Sequence, residues 1–106
     1  MDVNLSDVTV THNENAQRFE VSVHGLCAFI TYSRFPGRIV YTHAEVPEPL
    51  EGQGVAAKLA RAALDFARVN DLRVVPLCPY VSGFIRKHAE YQDLVSFDDL
   101  QKLLSH

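Results

Sequence analysis

The sequence has little of what ties many proteins to membranes or oxidising compartments. It contains no tryptophan, one methionine and two cysteines among 106 residues. Cys27 and Cys78 could form one disulfide at most, so we expect two free thiols, with Cys27 in the core. No apolar run approaches the roughly 20 residues that cross a bilayer, and MDVNLSDVTV lacks the basic start and apolar centre of a signal peptide. These absences predict a cytoplasmic protein that has no membrane partner.

An excess of positive charge is also absent. Ten Lys and Arg residues stand against 13 Asp and Glu residues, which gives a formal net charge of −3. Because nucleic-acid binding needs a basic face, we expect no nucleic-acid partner. No histidine has metal-ligand spacing with either cysteine, and His12 lies in a predicted turn, so we expect no metal site. The length is sufficient for one hydrophobic core and predicts a single domain over residues 1–106.

What the first 46 residues do have is a hydrophobic period of two, which is typical of strands. Val8 and Val10 predict a first strand, and the polar stretch HNENA predicts the turn after it. Three more strands follow, with tight reversals at His24-Gly25 and Pro36-Gly37, and the last of them is RIVYTHAEV. Short turns between strands indicate an antiparallel meander, with the N-terminal strand at its edge.

The second half changes to a helical period. Val55, Leu59 and Phe66 share one face of a predicted helix, and LRVVPL at residues 72–77 is a short buried strand. Strand, helix and strand form a βαβ crossover, so its two strands should run parallel. Further helices are expected over residues 80–88 and after Ser96, which forms a capping box with Asp99. The sequence therefore predicts an α+β fold of the α/β type, with a mixed sheet.

The stretch EGQGVAAK, residues 51–58, raises the question of function. Its glycines follow the first strand of the crossover and precede the crossover helix. Unpaired backbone N–H groups and the positive end of the helix dipole make such a position suited to anions. Taken alone, the pattern fits an ordinary helix start equally well.

Further residues favour the anion site. EGQGVA resembles the acetyl-CoA pyrophosphate loop of the GNAT N-acetyltransferase superfamily, whose pattern is Arg/Gln-x-x-Gly-x-Gly/Ala. Gly54 and Ala56 match this pattern, whereas Glu51 stands where Arg or Gln is usual. A carboxylate beside a diphosphate repels it, so we expect weaker binding unless Lys58 compensates.

The resemblance extends over residues 17–95. Three blocks are similar in order and spacing to the minimal acetyltransferase family within the GNAT superfamily. They are YTHAEVP at 41–47, EGQGVA at 51–56, which we call the glycine loop, and VVPLCPYV at 74–81. This resemblance implies that the two parallel strands splay apart to admit coenzyme A and that acetyl-CoA is the co-substrate. It assigns cofactor contacts to Ala44, Glu45, Val46, Glu51, Gly52, Gln53, Gly54, Val55, Ala56, Ala57 and Lys58.

Acetyl transfer to an amine needs a neutral nucleophile, stabilisation of the thioester oxygen and a proton for the thiolate. The resemblance points to His43 and Cys78 as catalytic residues, and it makes Tyr80 the candidate proton donor. In one mechanism Cys78 accepts the acetyl group covalently while His43 takes its proton. In the other, His43 activates the amine for direct attack and Cys78 is a wall of the pocket.

The acceptor is the least defined part of the prediction. Full-size GNAT enzymes insert two helices between their first and second strands, where this chain has only HNENA. We therefore expect an acceptor site that is open and shallow, or completed by another chain, for a small or protein amine. The sequence predicts an N-acetyltransferase. A coenzyme A-binding module without turnover and a purely structural domain are the alternatives.

Overall fold

The computed structural model describes residues 4–105, apart from the side chain of Asp7. Five strands form one sheet in the order β1-β2-β3-β4-β5, and three helices follow β4: β1 Thr11–Asn13, β2 Arg18–Val23, β3 Leu26–Phe35, β4 Arg38–Glu45, α1 Val55–Val69, β5 Arg73–Pro76, α2 Pro79–Lys87 and α3 Phe97–Leu104. Shorter 3-10 segments occupy Leu5–Asp7, Glu48–Leu50 and Ala89–Leu94. The predicted domain also includes residues 1–3 and 106, which lie outside the described part.

The mixed sheet is the one that the sequence predicts. Strands β1 to β4 pair antiparallel, and β4 pairs parallel with β5 across helix α1. The β2–β3 hairpin turns through His24 and Gly25, whose φ angles are 52° and 77°. Two consecutive positive φ angles match the right-handed twist of the strands that they join. The predicted meander and crossover are therefore confirmed.

The first strand lies further along the chain than its valines suggest. It spans Thr11–Asn13, so the strand predicted at Val8 and Val10 and the turn predicted at His12 are both wrong. The ring of His12 stacks on Phe19 at 4.3 Å between centroids, and its Nε2 lies 2.6 Å from the Tyr32 hydroxyl. These contacts with β2 and β3 fix the register of β1, a tertiary effect that overrides the local pattern.

The sheet is covered by helices on one face. Its buried residues, such as Ile30, Ile39 and Tyr41, face α1 and form the core with it. The buried Tyr41 hydroxyl donates a hydrogen bond to the Ala63 carbonyl in the middle of α1. Helix α2 packs beside α1, where the Arg61 guanidinium lies 5.5 Å from the centre of the Phe84 ring. Within residues 4–105, no helix is both long and apolar enough to traverse a bilayer.

The strand residues that point away from the helices form what we call the open face. Every one of these side chains is half-buried or exposed: Arg18, Glu20, Cys27, Phe29, Thr31, Ser33, Val40, His43, Glu45 and Val75. Antiparallel sheets tolerate water on one face, because their strands alternate apolar and polar residues. Cys27 pairs across the strands with the exposed Ser22, so the prediction that Cys27 lies in the core is wrong.

The N-terminal segment is fastened to the start of α1. The Lys58 ammonium donates hydrogen bonds to the carbonyl oxygens of Leu5 and Val8. The Leu5 side chain covers Gly54, where an added Cβ would meet Leu5 Cδ1 at 2.8 Å. We call this arrangement the N-terminal clasp, and it holds residues 5–8 against the glycine loop.

Lys58→Met tests the clasp. The substitution keeps most of the aliphatic stem but removes the donors, so the amide of Val8, which is bonded to Leu5, should exchange its hydrogen about tenfold faster. Hydrogen exchange followed by NMR measures this, and the amides of β3 should stay protected. Lys102→Met, on the exposed face of α3, is the matched control. Unchanged exchange at Val8 in Lys58→Met would contradict the clasp.

Candidate cofactor and reaction site

The two parallel strands separate before β4 ends. Their pairing runs from Arg38 with Arg73 to Tyr41 with Pro76. Beyond it, the Cys78 N–H donates to the Tyr41 carbonyl at 2.9 Å. Strand β4 then continues through residues 42–45 with β3 as its partner, so a gap opens between the end of β4 and the start of α2.

Local features on both sides produce this gap. The β3–β4 ladder changes register between Thr31 and Tyr32, which leaves Thr42 as an extra residue on β4. A bulge of this kind bends its strand away from the neighbouring ladder. On β5, Pro76 has no N–H to donate, and Pro79 begins α2, where its fixed φ angle suits the first helical turn.

The bulge also determines which backbone groups face the gap. Tyr32 donates its N–H to Gln17 on the β2 side, so it points away from β4. Backbone direction alternates along a strand, and Ile30 therefore points the same way as Tyr32. Ala44 lies opposite Ile30, so its N–H and C=O are directed away from β3 and into the gap. A free strand edge is thus available to an extended polar ligand.

The glycine loop lies next to this edge. It follows the 3-10 segment Glu48–Leu50 and ends at Gly54, which caps α1 with φ at 85° and without a side-chain hydrogen bond. The first helical hydrogen bond joins Lys58 N–H to the Gly54 carbonyl. The amides of residues 55–57 therefore precede the ladder at the positive end of the helix, which suits an anion.

The conformation of the loop and its packing require a glycine at residue 54, apart from any need to admit a ligand. Its positive φ angle disfavours other residues, and the Leu5 side chain already occupies the space beside its Cα. Gly52 also has a positive φ, at 75°, but nothing lies within 4 Å of a Cβ added there. The loop conformation thus requires both glycines whether or not a diphosphate binds.

A cleft of about 350 Å³ joins the end of β4, the glycine loop and the start of α2. Its size is within the range of small-molecule sites. Seven of its lining residues were predicted from the sequence: Val46, Glu51, Gly52, Gly54, Ala56, Ala57 and Tyr80. The eighth, the buried Leu50, was missed, because its 3-10 segment has too few residues to show a hydrophobic period.

The remaining predicted cofactor residues do not line this cleft. Glu45 borders a smaller cavity on the open face, which Val46 lines as well. Val55 is fully buried in the core, and the Gln53 N–H donates to the Leu50 carbonyl at 3.3 Å. The ammonium of Lys58 is engaged in the N-terminal clasp.

The candidate catalytic residues lie in different surroundings. His43 is on the open face, with its side chain 61% exposed and its Nε2 3.9 Å from Glu45 Oε2. Cys78 is 1% exposed and caps α2 from within the core. No hydrogen bond joins these two described side chains. The geometry therefore does not form the His–Cys pair that a covalent mechanism needs.

Tyr80 is on the cleft, in the first turn of α2. Partial burial, and to a lesser degree the nearby Cys78, raise the pKa of its phenol above the ordinary value. A phenol is protonated at neutral pH already at its ordinary pKa, so Tyr80 has a proton to donate within the cleft, and the upward shift makes it a weaker acid.

Comparison with known proteins identifies the family of the chain. The family model for GCN5-related N-acetyl-transferases matches residues 18–94. Protein NATD1 of Bos taurus is 36% identical over 84 residues, which cover 76% of this chain and 74% of that protein. For protein NATD1 of Homo sapiens the identity is 33% over 84 residues, covering 76% and 74%. Protein NATD1 of Danio rerio is 28% identical over 102 residues, which cover 88% of this chain and 93% of that protein. The gap and the glycine loop lie within the matched region, and the chain belongs to the GCN5-related N-acetyltransferase family.

Proposed function

We propose that this protein transfers the acetyl group of acetyl-CoA to an amine. The observation that carries the proposal is the continuity of the site: one cleft is lined by the glycine loop, the first turn of α1 and Tyr80, and β4 leaves its partner β5 close to it. The start of a helix, a strand edge and a phenol suit the diphosphate, the pantetheine arm and the thioester of one long molecule.

The residues of the loop and of β4 fit such a cofactor. The amides of residues 55–57 would hold the diphosphate, and Gly52, which has open space beside its Cα, allows the backbone to approach it. The backbone of Ala44 would pair with the amide groups of the pantetheine arm or with the thioester oxygen. The thioester supplies the activated acetyl group.

Two side chains then transfer the protons. His43 is exposed to solvent on the open face, where an incoming amine can reach its imidazole and lose a proton to it. The Tyr80 phenol gives its proton to the departing thiolate. One C–N bond forms and one C–S bond breaks. The ammonium loses two protons: His43 takes the first and passes it to water, and the second restores the Tyr80 phenol after its own proton has gone to the thiol.

This arrangement favours direct attack over a covalent acetyl-cysteine. Cys78 is buried and has no base within hydrogen-bonding distance among the described residues, whereas an attacking thiol must be ionised and accessible. We therefore infer that Cys78 packs at the start of α2 and that the amine attacks the thioester itself.

The first prediction concerns the acidic residue of the loop. Glu51→Gln removes a negative charge from the cleft, so coenzyme A should bind about threefold more tightly at low salt, and the gain should shrink as salt screens the charge. Calorimetry at two ionic strengths measures this. Glu48→Gln removes an equal charge outside the cleft and is the control. Equal affinities for Glu51→Gln and the original chain would argue against a diphosphate in the loop.

The second prediction concerns the proton donor. Tyr80→Phe should lower kcat by about 10²-fold, because the thiolate loses its acid, while the coenzyme A dissociation constant changes little. Release of free thiol across a panel of amines measures turnover. Tyr91→Phe, whose hydroxyl bonds Asp65, is the control. Coenzyme A binding without thiol release for any amine would favour the binding module instead.

A further inference from the structure

The open face has a small cavity directly across β4 from the gap. This cavity of about 200 Å³ is lined by Cys27, Phe29, Glu45, Val46 and Pro47. Its members converge because Phe29 and Glu45 are partners across β3 and β4, and partners in a ladder share one face. Of these residues, Cys27, Phe29 and Pro47 were not predicted as part of any site.

His43 stands at the border of the cavity. Its ring centroid lies 6.4 Å from that of Phe29, and its Nε2 lies 3.9 Å from Glu45 Oε2. A carboxylate, an aromatic ring and an imidazole are thus within reach of one small ligand. Ala44, whose backbone faces the gap, is the residue between His43 and Glu45 on the same strand.

The charges of this region favour a cation. The Arg18 guanidinium lies 4.6 Å from the centre of the Phe29 ring, so that face of the ring already has its cation and Phe29 offers the cavity an apolar wall. Arg18 is itself bound to Glu20 at 2.5 Å, so these two charges cancel. Glu45 is 63% exposed, and its contact with His43 is long, so its negative charge is the one left to attract a ligand.

A second cavity has a charge pattern that suits a ligand less well. It measures about 340 Å³ and lies at the opposite end of the sheet, against Gly37 and the end of α1. The guanidinium of Arg68 is already paired there with Asp93 at 2.9 Å, which matches charge with charge. That pair connects α1 to the segment before α3 and presents no net charge to a ligand.

We propose that the cavity beside Phe29 and Glu45 binds the acceptor as a protonated aliphatic primary amine; this inference rests on the proposed function. The carbon chain lies along Phe29, Val46 and Pro47, and the ammonium lies between Glu45 and His43. His43 removes one proton from the ammonium, while Glu45 holds the amine in place. The neutral amine then attacks across β4 at the edge where Ala44 faces the gap.

Glu45→Gln tests the site with three probes: 1-aminopentane, 1,5-diaminopentane and the uncharged amine aniline. The substitution should lower kcat/KM for both aliphatic amines about tenfold, mainly through KM, and leave aniline within about twofold. Glu14→Gln, in the exposed turn before β2, removes the same charge elsewhere and should change neither. An equal loss for charged and uncharged amines, or no loss, would overturn the inference while leaving acetyl transfer intact.

A binding measurement decides the case in which no amine is turned over. Titration of the full chain with 1-aminopentane, in the presence of coenzyme A, should shift the backbone NMR signals of Phe29 and Glu45. The same titration of Glu45→Gln should shift them about tenfold less at equal concentration. Such shifts without turnover would support the amine site while counting against the enzyme. Absence of shifts in the original chain would overturn the amine site.

Discussion

The departure of β4 from β5 is the constraint on which the rest of the structure depends. Hydrogen bonding would otherwise continue along both strands and close the edge of β4. The bulge at Thr42 and the prolines at 76 and 79 stop it after Tyr41. Because β3 still holds the far side of β4, the strand stays extended with one edge free. Water hydrogen-bonds an exposed backbone edge of this kind, and an extended polar ligand can take the place of that water.

This one separation organises three different surfaces. On the helical side, the cleft runs from Val46 to the glycine loop. On the other side, the bulge brings His43 to the open face, next to Phe29. The free edge at Ala44 lies between them. A two-layer architecture suits this arrangement, because an additional layer on the open face would cover His43.

Much of the fold could be predicted from periodicity and turn chemistry. The hairpin at His24-Gly25, the crossover helix and the Ser96 cap follow local rules, and the Asp99 amide does donate to Ser96 Oγ. The position of β1 could not be predicted in this way. Its register depends on the packing of His12 against Phe19, which lies on the neighbouring strand. Propensity describes neighbours along the chain, and this contact joins two strands.

The site was predictable to a similar degree. The glycine loop alone is a weak signal, and the resemblance of three separate blocks to one family is what identified most residues of the cleft. In LCAFITYS both alternate sets contain apolar residues, which left the inward side undecided and placed Cys27 in the core. Phe29 was not predicted as a site residue for the same reason. The clasp could not be anticipated, since it joins Lys58 to carbonyl groups about 50 residues earlier in the chain.

The clasp also makes residues 5–8 neighbours of the glycine loop. The Leu5 side chain rests on Gly54, which itself lines the cleft. A movement of residues 5–8 away from α1 would therefore uncover Gly54 and release the Lys58 ammonium at the same time.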